Sequence, residues 1–125
     1  MIHGVGTDIV RIERIVDALA RHGERFAMRV LAPAERPDFG ASPEPARFLA
    51  KRFAAKEAFG KALGTGVARP ATLHALAVGH DPLGRPLYRY SDELSAYLDE
   101  RAMAAHLSLS DETDYVVAFA LIEVR

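Results

Sequence analysis

Apolar residues at Ile12, Ile15, Val16 and Leu19 fall at the spacing of one buried helical stripe and predict a helix over about 11–22. The residues before it, Ile2 to Val10, read as a short strand running into a turn. Gly4 and Gly6 there allow a second backbone or a ligand to approach closely, and Asp8 is a candidate cap for the helix. Gly23 breaks the pattern, and a second short helix follows through Phe26, Met28, Val30 and Leu31. Pro33, Pro37, Gly40, Pro43 and Pro45 mark turns and short pieces. The longest helical stretch is 44–63, rich in alanine and stopped by Gly64-Thr65-Gly66. Beyond it, Leu73–Val78 and Arg85–Tyr90 read as strands around an Asp81–Gly84 turn. Ser91 caps a helix whose inner side carries Leu94, Tyr97, Leu98 and Met103. His106 to Ser110 alternates strictly, and Tyr115 to Val124 is a long apolar strand, buried on both faces if central or interfacial. Four polar residues join these two, which predicts an antiparallel hairpin. The expected fold class is α+β, a small antiparallel sheet with helices on one side, forming one domain over 1–125.

Composition narrows the function. Of 125 residues, 50% are hydrophobic and 26% charged, which argues against disorder. A net charge of −1 gives no broad field for duplex nucleic acid. The absence of cysteine excludes thiol catalysis, disulfides and Cys-ligated zinc. No apolar run approaches the ~20 residues that span a bilayer, and the N-terminus lacks the pattern of a signal peptide. The expectation is a soluble cytoplasmic protein with no membrane and no nucleic-acid partner, small enough to gain stability by oligomerising. Thirteen arginines stand against three lysines, and all three lysines (Lys51, Lys56, Lys61) fall within eleven residues. Chance in an arginine-biased chain is one reading. The other is that this segment needs a compact ammonium, a common point-charge partner of phosphate.

That segment holds the densest chemistry. On a helix, Arg47, Ala50, Ala54, Glu57, Ala58 and Lys61 share one side, placing a carboxylate and cations beside small alanines that leave room for a ligand. Glu57 and Lys61 fit a surface i,i+4 pair, and equally a metal ligand with a phosphate contact. Gly64-Thr65-Gly66 is either a plain helix stop or a turn that receives an anion on its N–H groups. Asp8 is either a cap or a second carboxylate for a hard cation such as Mg²⁺, which takes one or two carboxylates, waters and substrate phosphates. Arg11, Arg14, Arg21, Arg25 and Arg29 lie within about 80° of one another if helical phase persists past Gly23. They form either a solvated face or a docking surface for an acidic helix. His106, Ser108 and Ser110 share one strand face opposite Leu107 and Leu109; His106 is either a structural residue or part of a polar row that hydrogen-bonds a phosphate.

Three blocks of the chain are similar to a known family. They are G-x-G-T-D-I-V (Gly4 to Val10), R-F-A-A-K-E-A-F-x-K-A-x-G-T-G (Arg52 to Gly66) and H-L-S-L-S-D-E (His106 to Glu112). In order, spacing and length the chain resembles the holo-acyl-carrier-protein synthases, the small bacterial type of 4′-phosphopantetheinyl transferase. Asp111 stands where some relatives carry histidine. The resemblance implies transfer of the phosphopantetheine arm of coenzyme A to a serine of apo-acyl carrier protein, releasing adenosine 3′,5′-bisphosphate. It implies a role in fatty acid or polyketide biosynthesis, a requirement for Mg²⁺, and a homotrimer with active sites between subunits. By motif match, Asp8 and Glu57 become metal ligands, and Lys61 a phosphate contact. Gly64, Thr65 and Gly66 lie near the nucleotide, and His106 and Ser108 contact coenzyme A phosphates. Glu57 is the expected proton acceptor, Lys61 offsets developing charge, and Arg11, Arg14, Arg21 and Arg25 are expected to meet the carrier protein. Two rival readings are a Mg²⁺-dependent nucleotide hydrolase and a non-catalytic coenzyme A-binding module.

Overall fold

The computed structural model describes all 125 residues. The elements run β1 (Ile2–Arg11), α1 (Ile12–His22), α2 (Glu24–Val30), a 3₁₀ turn (Pro33–Glu35), α3 (Arg36–Ala41), α4 (Pro45–Leu63), β2 (Leu76–His80), β3 (Pro86–Tyr90), α5 (Asp92–Glu100), β4 (Met103–Asp111) and β5 (Tyr115–Val124). The α+β class holds. The single sheet does not: β1-β5-β4 form one antiparallel sheet, and β2-β3 form a separate antiparallel pair. No helix is long and apolar enough to cross a membrane.

The core lies where α4 crosses the inner face of the three-stranded sheet. Val10, Val116, Ala118, Ala120 and Ile122 point inward and are buried. They meet Ala50, Ala54, Ala58 and Ala62 of α4, all buried. The alanine row therefore does not leave room for a ligand; it admits β1 to close range. Glycine completes that fit. A Cβ on Gly6 would fall inside contact distance of the Ala58 carbonyl oxygen, 2.7 Å from the Ala62 nitrogen and 2.8 Å from Lys61 Cβ.

Several boundaries shift for identifiable reasons. Asp8 does not cap α1: β1 continues to Arg11, and the helix starts without a side-chain cap. β2 begins at Leu76, not Leu73. The Leu73 carbonyl is taken by Lys56, and Ala75 N–H closes a turn onto Thr72, so this stretch cannot enter a ladder. Ser91 does cap α5, accepting from Leu94 N–H at 3.3 Å. Met103, expected on that helix, opens β4 instead, because Ala102 turns at a positive φ of 53°.

Candidate functional site

Strand parity decides which residues can share a site. Directly paired residues face the same side of a sheet. The pairs Asp8↔Ala118 and Ala118↔Leu109 put Asp8 on the inner face, toward α4. There Lys61 Nζ donates to the Thr7 carbonyl at 2.8 Å and to Asp8 Oδ1 at 3.3 Å. Glu57 lies one turn earlier on α4. Burial, reinforced by the charge of Asp8, pushes its carboxyl above the ordinary range, against the opposing pull of Lys61. Strand β1 and helix α4 thus bring together Asp8, Glu57 and Lys61, which are far apart in the chain.

The His106 row faces the other way. His106↔Leu121, Ser108↔Phe119 and Ser110↔Val117 are direct pairs, continued on β1 by Val5, Thr7 and Ile9. All nine lie on the outer face. Val5, Ile9 and Phe119 are 53%, 61% and 41% exposed there, an apolar patch too large for a face meant for water. β5 is therefore central, with one side buried and the other open, and not buried on both sides within one chain. His106 Nε2 lies 3.2 Å from Glu123 Oε1 on this face. Within one chain, His106 and Ser108 cannot reach the group around Asp8, because the sheet separates them.

At the end of α4, Gly64 adopts a left-handed φ of 95° and closes the helix. The N–H groups of Gly64 and Gly66 both donate to the Gly60 carbonyl at 3.0 Å. They are engaged in stopping the helix and do not form an open anion nest. A helix C-terminus also carries partial negative charge, which opposes an anion on the backbone. The Thr65 side chain bonds only the Gly66 carbonyl, at 2.9 Å, and the residue is exposed beside Lys61's end of the helix.

The arginine stripe is corrected. Gly23, at φ 59° and ψ −146°, interrupts helical phase, so α1 and α2 are separate helices. Arg11 leaves the set altogether: it ends β1 and donates to the Tyr115 hydroxyl at 2.7 Å. Arg14 is exposed on α1. Arg21, Arg25 and Arg29 converge despite the break, lining a cleft of about 250 Å³ with His22 and Phe26.

The three lysines find different partners. Lys51 lies 3.5 Å from Asp111, which Arg47 also holds at 2.7 Å. Burial works against the Asp111 charge, but these cations win and keep its carboxyl below its usual range. Arg47 additionally donates to the Glu112 and Thr113 carbonyls, clasping the β4–β5 turn onto α4. Lys56 is buried against Glu35, a residue that no sequence signal marked. The one signal that could have pointed to a buried acid is Lys56 itself, a charged residue projecting among Phe53, Ala55 and Phe59.

Comparison with known proteins identifies the family of the chain. Residues 4–120 match the family described as the 4′-phosphopantetheinyl transferase superfamily. Over 125 residues, covering 100% of both chains, the protein is 73% identical to a holo-[acyl-carrier-protein] synthase of Azoarcus sp. (strain BH72). Its fold superimposes on the holo-[acyl-carrier-protein] synthase of Neisseria meningitidis with a TM-score of 0.95, at 45% identity and covering 98% and 99% of the two chains. The enzyme from Bacillus anthracis, solved in complex with CoA (3′,5′-ADP), gives 0.84 at 31% identity, covering 100% and 99%. On both sequence and fold, this chain belongs to the 4′-phosphopantetheinyl transferase superfamily.

Proposed function

We propose that the protein transfers the 4′-phosphopantetheine group of coenzyme A to a serine hydroxyl of an apo-acyl carrier protein, releasing adenosine 3′,5′-bisphosphate, in fatty acid or polyketide synthesis. The observation that carries this is the meeting of Asp8, Glu57 and Lys61 where β1 crosses α4. The group suits a diphosphate that must be held, neutralised and cleaved in line. The serine oxygen forms a new bond to the phosphorus that bears the pantetheine. The bond from that phosphorus to the bridging oxygen breaks, and the nucleotide leaves with the electron pair. Glu57 accepts the serine proton, and Lys61 offsets charge on the departing phosphate. The nucleophile comes from the partner, so this chain needs no Ser-His couple of its own.

The donor chemistry fits Mg²⁺. Asp8 and Glu57 are hard oxygen donors whose charges repel, and Asp8 together with the Thr7 carbonyl already draws the ammonium of Lys61. No group of three or more His, Cys, Asp or Glu side chains forms a closed cage. An open pair suits an ion that keeps waters and substrate phosphates among its ligands. Asp8 and Glu57 would hold it, and bound there it supplies charge neutralisation of the diphosphate.

The test mixes the protein with coenzyme A, Mg²⁺ and apo-carrier protein. The carrier is expected to gain ~340 Da, with its serine as the nucleophile. Release of adenosine 3′,5′-bisphosphate from coenzyme A without carrier protein would replace this reading by a hydrolase.

The family resemblance implies a homotrimer, and the open apolar outer face of the sheet is a surface through which copies of the chain would assemble. Val5, Ile9, Val117, Phe119 and Leu121 form its apolar centre, beside the polar His106 and Ser108. Packed against a neighbour, this face carries His106 and Ser108 toward the Asp8 group of another subunit, where they bond coenzyme A phosphates near Thr65. Phe119→Glu is expected to yield monomers in size-exclusion chromatography with light scattering, with loss of transfer. A monomeric variant at full activity would refute the shared site.

Arg14, Arg21 and Arg25 dock the acidic recognition helix of the carrier. Exposed charges are screened over about 10 Å at 0.1 M salt, so the KM for carrier protein is expected to rise steeply with ionic strength. Reversing Arg21 and Arg25 to Glu should raise that KM about tenfold and leave the KM for coenzyme A within about twofold. A flat salt response counts against the docking face.

A further inference from the structure

Lys56 is 0% exposed, yet its ammonium is fully satisfied. It donates to Glu35 Oε1 at 2.6 Å, to the Val30 carbonyl at 2.7 Å and to the Leu73 carbonyl at 2.9 Å. Three N–H bonds meet three acceptors, a convergence that a planar guanidinium cannot supply. This explains why one position in an arginine-biased chain must be lysine. Glu35, 2% exposed, is equally committed. Its Oε1 also accepts from Ala32 N–H at 2.9 Å, and its Oε2 accepts from Val78 N–H at 2.9 Å and lies 3.3 Å from Arg52 Nε. One carboxylate therefore joins the 3₁₀ turn, β2 and two residues of α4, and through Lys56 the cluster also takes in the end of α2.

Burying such charges is seldom the most stable solution, since apolar residues of similar volume often do as well or better. What the cluster does provide is direction. Lys56 and Glu57 are neighbours on α4, about 100° apart around its axis. Holding Lys56 at one azimuth holds Glu57 at another. With side chains about 5–6 Å from the axis, a helix rotation of about 10° moves a carboxylate by roughly 1 Å. A misplacement of that size can lower a rate by about 10².

We propose that Glu35 is a positioning residue: through Lys56 it sets the rotation of α4 that brings Glu57 against Asp8. This rests on Glu57 and Asp8 acting as the cation-binding pair. Glu35 itself touches neither substrate nor cation.

The experiment compares Glu35→Gln with Leu49→Ala, a fully buried α4 residue outside the site that serves as a control for general destabilisation. Three quantities are measured on each: thermal unfolding, Mn²⁺ binding in the presence of coenzyme A by paramagnetic resonance of the free ion, and kcat with both KM values. Glu35→Gln is expected to weaken Mn²⁺ binding and lower kcat by about tenfold to a hundredfold each, with KM values within about threefold. Leu49→Ala should lose as much thermal stability and keep both quantities within about twofold per folded molecule. Glu35→Asp retains the charge, and should shift the same two readouts in the same direction if Glu35→Gln does not fold. Equal Mn²⁺ affinity and kcat in the Glu35 variants and the control, at equal folded fraction, overturns the proposal. A wild-type protein that binds no Mn²⁺ overturns the cation-pair reading instead, and the positioning claim falls with it.

Discussion

Replacing Glu57 by glutamine is expected to lower kcat by about 10²–10³-fold or more, the scale of losing one preorganised charged group at a reacting centre. Glutamine keeps the size but can neither accept the serine proton nor offer a charged oxygen to a cation. The same change should leave the fold intact and slightly raise its thermal stability. The sign follows from the raised carboxyl value. Burial and Asp8 make the ionised form unfavourable in the folded chain. In acid, where the group is protonated both folded and unfolded, it contributes nothing. As pH rises through and past the ordinary glutamic-acid range, its ionisation works against folding. The melting temperature of Glu57→Gln should therefore match the wild type in acid and exceed it near neutrality. Rapid turnover by this variant at saturating Mg²⁺ would remove Glu57 from the reaction. A variant less stable at neutral than at acid pH, relative to wild type, would contradict the electrostatic account.

The second large effect is on the fold. Gly6→Ala puts a methyl group against the backbone of α4, at the Ala58 carbonyl oxygen and the Ala62 nitrogen. Neither can rotate away, unlike the end of a flexible side chain. Either β1 withdraws from the helix or α4 bends. Ordinary overpacking costs about 1–3 kcal/mol, and a clash with backbone on this scale belongs at or above the top of that range. For a domain of this length about 4 kcal/mol corresponds to a melting temperature lower by roughly 15 °C. Activity should fall further than stability, because Asp8 sits two residues along the same strand and moves with it. Differential scanning calorimetry and an assay well below the new midpoint separate the two losses. A melting temperature within a few degrees of wild type would show that the close crossing is not what the chain requires.

Much of this molecule is legible without its structure. The bounds of α4, its left-handed stop at Gly64, the Ser91 cap and the β4–β5 hairpin follow from periodicity and turn chemistry within a few residues. The three sequence blocks also point to the family before any coordinates do. What the local pattern misreads is what depends on distant partners. Asp8 looks like a cap from its neighbours, and is a strand residue because β5 pairs with it. The alanines of α4 look like space for a ligand, and are instead the surface that two glycines of β1 press against. Leu73 looks like a strand start, but its carbonyl has a prior claim on it from Lys56.

The chain by itself therefore determines the elements, the reactive residue types and the family, since these are written in spacings of a few residues. Only the tertiary structure decides that Asp8 faces α4 with its Glu57 and Lys61, that His106 and Ser108 lie on the opposite side of the sheet, and that Glu35 anchors Lys56. Those relations arise from pairing and burial between segments tens of residues apart, where the side a residue faces is set by what it packs against.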